Sequence, residues 1–248
     1  MNKFLGWRAN INVAENYINA VKSILSSEQN FKNFRSGNNS YTPILEHLNQ
    51  HEGQIYANYI IKNYPDLIKH IDKFKENDKI GNPITFNYDE FGIFNPTTIR
   101  YIKFLGDIIK RFENLENINL VEIGGGYGGL VKILTTRFNF NSIQLFDLPE
   151  PLLLQKKYLE QFNINVETHL ITDEFNIQEN TLVISNYAWC ECDRETRDIY
   201  KNKILNKSKY VFMVVYDVDI NNELMNMNGK SFLEKETLNE CKIFSLIQ

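Results

Sequence analysis

The sequence predicts an α/β fold: a Rossmann-like sheet wound by helices on both faces, with an N-terminal helical cap in front of it. Short apolar runs alternate with helical segments from Asn119 onward. A glycine-dense loop joins the first of these runs to a helix. Before that point the apolar spacing is helical almost throughout. Strand–helix alternation with apolar strands implies a parallel sheet covered on both sides.

Taken in order, residues 14–25, 42–63 and 67–74 place apolar side chains three and four apart, the spacing of a helix face. Ser40, Thr42 and Pro43 make a helix start, and Tyr64-Pro65 a stop or restart. Residues 77–95 read as loop, punctuated by Gly81, Pro83 and Gly92. Pro96 suits the first turn of a helix that runs to about Phe112. Strands follow at 120–123, 142–146, 166–171, 181–186 and 210–216, with helices at 129–138, 151–162 and 194–205. Beyond Asp217 only residues 242–247 read as a strand. Residues 1–95 are expected to form the cap and residues 96–248 the core.

Composition narrows the function. Hydrophobic residues at 43% and charged residues at 23% describe an ordinary globular balance. A net charge of -4 carries no basic footprint, so no nucleic-acid partner is expected. No apolar run reaches membrane-spanning length and the start MNKFLGWRAN is polar, which predicts a cytoplasmic protein with no membrane contact. Cys190, Cys192 and Cys241 cannot make a disulfide framework, and the Cys-x-Cys pair lacks a second ligand pair for zinc.

The strongest motif is Val121-Glu122-Ile123-Gly124-Gly125-Gly126-Tyr127-Gly128-Gly129, between a strand and a helix. Glycines let the backbone turn tightly and approach a ligand. Asp147, with Leu148 beside it, ends the next strand, where a carboxylate accepts hydrogen bonds from both ribose hydroxyls of a nucleoside. Gly124, Gly126 and Gly129 also satisfy the dinucleotide pattern. Three features favour S-adenosylmethionine over a nicotinamide: the acid Glu122 ending the first strand, the long helical region ahead of it, and a glycine run denser than a pyrophosphate needs.

The segments NDKIGNP, FNPTTIRYIKFL, VEIGGGYGG, FDLPEPLLLQKKYL and SNYAWCECDRE, in this order, resemble the sugar O-methyltransferases of bacterial glycan gene clusters. The likeness runs from about Gly81 to Tyr200, and more loosely back to Glu46-His47. It implies a class I methyltransferase fold with strand order 3-2-1-4-5-7-6, S-adenosylmethionine as donor, and a sugar or nucleotide-sugar acceptor such as a nucleoside-diphosphate 6-deoxyhexose. The short chain after Asp217 departs from this pattern and puts the terminal hairpin in doubt.

Methyl transfer to a hydroxyl requires alignment of the acceptor oxygen and removal of its proton. The loop after the fourth strand is the natural source of a base. Glu191 is the first choice, beside Trp189 and Cys190, which can desolvate it and raise its pKa; the other reading is an acid at the start of the next helix, a place that Asp193 fits better. Asp217 is the second choice, and with Asp219 it is also the place where a metal would assist. Asn186 and Tyr187, Tyr127 in the glycine loop, and Thr172 and Asp173 after the third strand are candidate cofactor contacts. Arg100 and Tyr101 are candidates for the acceptor, Arg100 for a diphosphate. His47 and His51 lie four apart but lack the zinc-protease pattern, so His47 is expected to touch the acceptor from a helical lid. A homodimer contact is the other use for the N-terminal helices. The rivals are another small-molecule acceptor, a dehydrogenase, or a non-catalytic scaffold of the same fold.

Overall fold

A computed structural model describes residues 11–36, 40–112, 115–233 and 241–248. The polar start at residues 1–10 lies outside them. The chain opens with α1 (Ile11–Leu25), α2 (Glu28–Lys32), α3 (Thr42–Leu45), α4 (Gln50–Asn63) and α5 (Ile71–Lys75). The expected helix over 42–63 is therefore two helices. Asn49 accounts for the break: its side chain accepts from the Glu52 backbone N–H while the Glu52 carboxylate accepts from the Asn49 N–H, a reciprocal cap that starts α4 afresh. The stretch expected as loop contains a small antiparallel ribbon, β1 (Phe86–Tyr88) with β2 (Gly92–Phe94).

Next come α6 (Pro96–Arg111), β3 (Asn119–Ile123), α7 (Gly129–Thr135), β4 (Ser142–Phe146), α8 (Pro149–Glu160), β5 (Glu167–His169), β6 (Thr181–Asn186), α9 (Ala188–Glu191), α10 (Arg194–Lys203), β7 (Tyr210–Val215), α11 (Val218–Met225), β8 (Lys230–Leu233) and β9 (Lys242–Ile247). The seven-stranded sheet has the order β5-β4-β3-β6-β7-β9-β8. The first five are parallel neighbours, β9 runs antiparallel to β7, and β8 is antiparallel to β9. The terminal hairpin left in doubt is thus present. Its first strand, KSFL, is short, and polar Lys and Ser hide it in the sequence.

Side chains alternate across the sheet. Leu120, Leu145, Leu182, Ile184 and Phe212 face a core shared with the N-terminal helices and with α6, α7 and α8. Val121, Val183, Val211 and Met213 face a second core with Tyr200, Ile204 and Leu224. Apolar residues on both faces are what a fully covered sheet requires. α4 packs along α6, where Tyr64 donates to Asp107 at 2.6 Å. A Cβ at Gly106 would come within 2.2 Å of the Tyr64 ring, so the small residue sets that approach. Among the described residues no helix is long and apolar enough to cross a membrane.

Candidate functional site

A cavity of about 500 Å³ opens at the carboxyl ends of the strands. This is where an open α/β sheet binds ligands, and the volume suits a small molecule. Gly124 and Gly126 form one wall, Asp147 and Leu148 the next, and Asn186, Tyr187 and Glu191 the opposite side. Ile44, Leu45, His47 and Leu48, from α3 and the turn after it, roof the cavity.

Positive φ at Gly124 (71°) and Gly126 (61°) explains the glycines of this wall. A Cβ on Gly124 would also come within 2.1 Å of the Ala188 Cβ. The segment SNYA is therefore built against the glycine loop. Ser185 donates to the Ile123 carbonyl at 2.9 Å and accepts from the Trp189 N–H at 3.2 Å. Tyr187 takes a φ of 63°, uncommon for a bulky residue, and its N–H donates to the Val214 carbonyl at 2.8 Å.

Two acids sit beneath the loop. Glu122 is buried, and burial, followed by the charge of Asp147, pushes its carboxyl up to about 8. Its Oε2 finds no hydrogen-bond partner among the described residues. Asp147 accepts from the Leu148 N–H at 2.8 Å and from Gln155 at 2.7 Å, and burial pushes it up to about 6 against those bonds. The DLPEP segment thus supplies the acid, two prolines that open α8, and one turn later the glutamine that holds the acid.

The order of the main sheet, counted from β3, is 3-2-1-4-5-7-6. The fold is that of the class I methyltransferases. No family model matches the chain, and no curated protein does. Solved structures of this fold do match. Magnesium protoporphyrin IX methyltransferase from Synechocystis, with bound SAM, is 10% identical, with a TM-score of 0.47 over 79% of this chain and 97% of that one. TrmK of M. capricolum, in complex with S-adenosyl-homocysteine, is 15% identical, with a TM-score of 0.44 over 58% and 66%. An rRNA methylase from Streptococcus thermophilus is 16% identical, with a TM-score of 0.43 over 53% and 87%.

The class I fold does not bring every candidate to the cavity. Glu191, at the end of α9, lines it, and the Tyr216 hydroxyl donates to Glu191 Oε1 at 2.5 Å. Trp189 and Cys190 turn into the second core instead of surrounding that carboxylate. The Asp217 carboxylate caps α11, accepting from the N–H groups of Asp219 and Ile220, and is not part of the lining. Asp193 caps α10, as its position suggested. Among the described residues no group of three or more His, Cys, Asp or Glu is placed to hold a metal ion.

Thr172 and Asp173 miss the cavity too, because β5 stops at His169 and the chain turns early: Asp173 accepts from the Leu170 N–H at 2.7 Å. Ile171 lines the cavity in their place. Cys192, of the Cys-x-Cys pair, also reaches it, as do Thr196 and Tyr200, which no motif marks. Arg100 and His47 both line it. The Arg100 guanidinium lies 5.4 Å from the centre of the Tyr187 ring. Burial, then Arg100, pushes His47 below the ordinary histidine value, and its Nδ1 lies 3.2 Å from the Ile44 carbonyl. A carbonyl only accepts, so Nδ1 carries the proton.

Tyr101 and Tyr127 point elsewhere. Both are buried, with ring centres 6.3 Å apart, and belong to the core between cap and sheet. Gly128 (φ 93°) packs against Leu159 at the start of α7. Tyr127 serves a buried polar network around Arg35, which sequence reasoning missed. Arg35 donates to Glu46 at 2.5 Å, to the Asn77 carbonyl at 2.7 Å, and to Asp78 and Thr98 at 3.2 Å. Its guanidinium lies 4.7 Å from the Tyr127 ring centre. Asn77 donates to Tyr127 and accepts from Tyr158. Residues from NDKIGNP, FNPTTIR, the glycine loop and α8 therefore converge on one arginine of the cap.

Proposed function

We propose that the chain is an S-adenosylmethionine-dependent O-methyltransferase whose acceptor is a hydroxyl of a sugar, carried on a nucleotide or in a glycan. The observation that carries this reading is one cavity with a nucleoside-type wall at Gly124, Gly126 and Asp147 and, after β6, the Glu191 carboxylate; Glu52 of the N-terminal helices also lines it.

The residues fit such a donor. Glu122 Oε2 and Asn186 Oδ1 are buried acceptors without hydrogen-bond partners among the described residues. Acceptors of this kind suit an ammonium or another N–H group. Asp147 presents a carboxylate at the strand end where vicinal ribose hydroxyls donate. When bound, the donor supplies an activated methyl group on a sulfonium. The protein's own task is to align and deprotonate the acceptor. Glu191 would accept the hydroxyl proton as the acceptor oxygen gains the methyl group and the methyl's bond to sulfur breaks. The cap side chains Ile44, Leu45 and Leu48 exclude water from the reacting atoms. Arg100 and the neutral His47 face the acceptor end, where a guanidinium suits a diphosphate.

The sugar follows from the sequence resemblance, and the Tyr187 and Tyr216 rings, 6.5 Å apart, add a surface on which a sugar face can rest. A nucleic-acid acceptor fits the net charge of -4 poorly.

Titration calorimetry with S-adenosylhomocysteine is the first test. Micromolar binding that Asp147→Ala weakens at least tenfold is expected, the cost of one hydrogen-bonded charge. A folded protein that binds nothing overturns the donor and leaves the non-catalytic scaffold. A protein that binds the donor product but methylates only non-sugar acceptors overturns the sugar.

A further inference from the structure

We propose that Tyr216 is a positioning residue: its hydroxyl fixes one oxygen of Glu191 so that the other is presented to the acceptor. This rests on Glu191 being the base of the proposed reaction.

Glu191 ends a helix of a single turn, α9, on the rim of the cavity. A carboxylate on such a short element has several rotamers open to it, and a base must be held in one. Tyr216 is the next residue after β7. Its hydroxyl donates to Glu191 Oε1 at 2.5 Å, and a bond that uses Oε1 leaves Oε2 to take a proton.

Two other contacts tie the same pair of segments together. The Tyr187 N–H donates to the carbonyl of Val214, two residues before Tyr216. The Tyr187 and Tyr216 rings lie 6.5 Å apart with planes 32° from parallel. Tyr187 holds its positive φ directly at the start of α9. Strained backbone persists where surrounding contacts over-determine it, and such places cluster at working sites. Here the strain sets the direction of the turn that carries Glu191, and Tyr216 completes the lock. Partial burial, then the bond to Glu191, holds the phenol of the half-exposed Tyr216 above the ordinary tyrosine value, so it remains a donor across the working pH range.

The test compares wild type, Tyr216→Phe, Tyr216→Leu and Glu191→Gln. Each is first checked for S-adenosylhomocysteine binding, then assayed for methyl transfer from labelled donor to a panel of nucleoside-diphosphate hexoses and 6-deoxyhexoses. Tyr216→Phe keeps the ring and loses the hydroxyl. It is expected to bind the donor product as wild type does and to lose about ten- to a hundredfold in kcat, the scale of a misplaced reacting group, with acceptor KM within about threefold. Tyr216→Leu is expected to raise KM as well. A Phe variant with wild-type kcat overturns the proposal and leaves the ring as a wall only.

A second readout needs no acceptor. With ring-13C tyrosine, the Tyr216 Cζ resonance at neutral pH should shift between wild type and Glu191→Gln, because the hydroxyl's charged acceptor is lost. An unchanged resonance means the pair does not form and overturns the proposal even if the wild type methylates nothing in the panel, an outcome that would separately count against the sugar reading.

Discussion

Arg35 Nε and Glu46 Oε1 meet at 2.5 Å, the arginine side chain fully buried and the glutamate side chain 3% exposed. His47, in the roof of the cavity, is the next residue, so this ion pair anchors the segment that carries part of the roof. Breaking such a pair leaves a buried charge without its partner. Arg35→Met is expected to cost about 3–5 kcal/mol, read as a lower urea midpoint. Arg35→Lys should recover little, because one ammonium cannot reach Glu46, Asp78 and the Asn77 carbonyl together. A midpoint unchanged in Arg35→Met would mean the network is incidental.

Stability should fall as pH rises from about 4.5 to about 8 in the absence of ligand. In that window folded Glu122 keeps a proton that an unfolded glutamate has lost, so the folded state binds more protons and rising pH favours unfolding. Asp147, at about 6, adds to the same slope between about 3.8 and 6. Glu122→Gln should flatten the profile, measured by urea unfolding at pH 5 and pH 8. A wild-type chain more stable at pH 8 than at pH 5 would contradict the burial of Glu122.

The same acid should betray the donor's ammonium group. At pH 7 Glu122 is protonated in the free chain, and a cation placed beside it expels that proton. Calorimetry with S-adenosylhomocysteine in buffers of different ionisation enthalpy should show about one proton released per site near pH 7. Glu122→Gln should release none. Equal proton counts in the two proteins would place the ammonium elsewhere.

Gly124→Ala should damage both stability and binding. The added methyl meets Ala188 within 2.1 Å, and the φ of 71° strains any L side chain. A loss of about 1–3 kcal/mol is expected from overpacking, with weaker S-adenosylhomocysteine binding. Adding Ala188→Gly should restore part of the stability, since it removes the clash but not the strain. No recovery would show that the dihedral dominates.

Asp217 separates capping from chemistry. Asp217→Asn keeps an acceptor for the Asp219 and Ile220 N–H groups and should leave thermal stability nearly unchanged, whereas Asp217→Ala should lose about 1 kcal/mol. Both should bind S-adenosylhomocysteine as wild type does. Weaker binding in the Asn variant would return Asp217 to the candidate site.

Period and punctuation made most of the fold legible. β3, β4, β6 and β7 are apolar runs of five or six residues that a covered sheet demands, and each was visible. β8 was not, because four residues with a polar start give no periodic signal, and it exists only by pairing with β9. Asp147, Leu148, Asn186, Tyr187 and Glu191 line the cavity because position after a strand dictates access to it. That rule failed for Thr172 and Asp173, where an early turn moved the strand end, and for Asp217, where the nearest donors were its own helix's N–H groups. Tyr216 had the same positional signal as Asp217 and was passed over. Arg35 had none, since a lone arginine between helices looks like surface until tertiary structure buries it.

Arg35 also sets a schedule for the chain's birth. Its partner Glu46 emerges from the ribosome soon after it, but Asp78 and Thr98 follow several seconds later, the Tyr127 ring it lies against roughly 5–20 s later at ordinary synthesis rates, and Tyr158 later still. Until then the guanidinium and its carboxylates are better served by water than by each other. The N-terminal helices must therefore wait, solvated and unsealed, for the first strands of the sheet. The helices around Arg35 are then locked only after the sheet has begun to form, and a nascent chain stalled before the glycine loop should remain open to protease at the segment around Arg35.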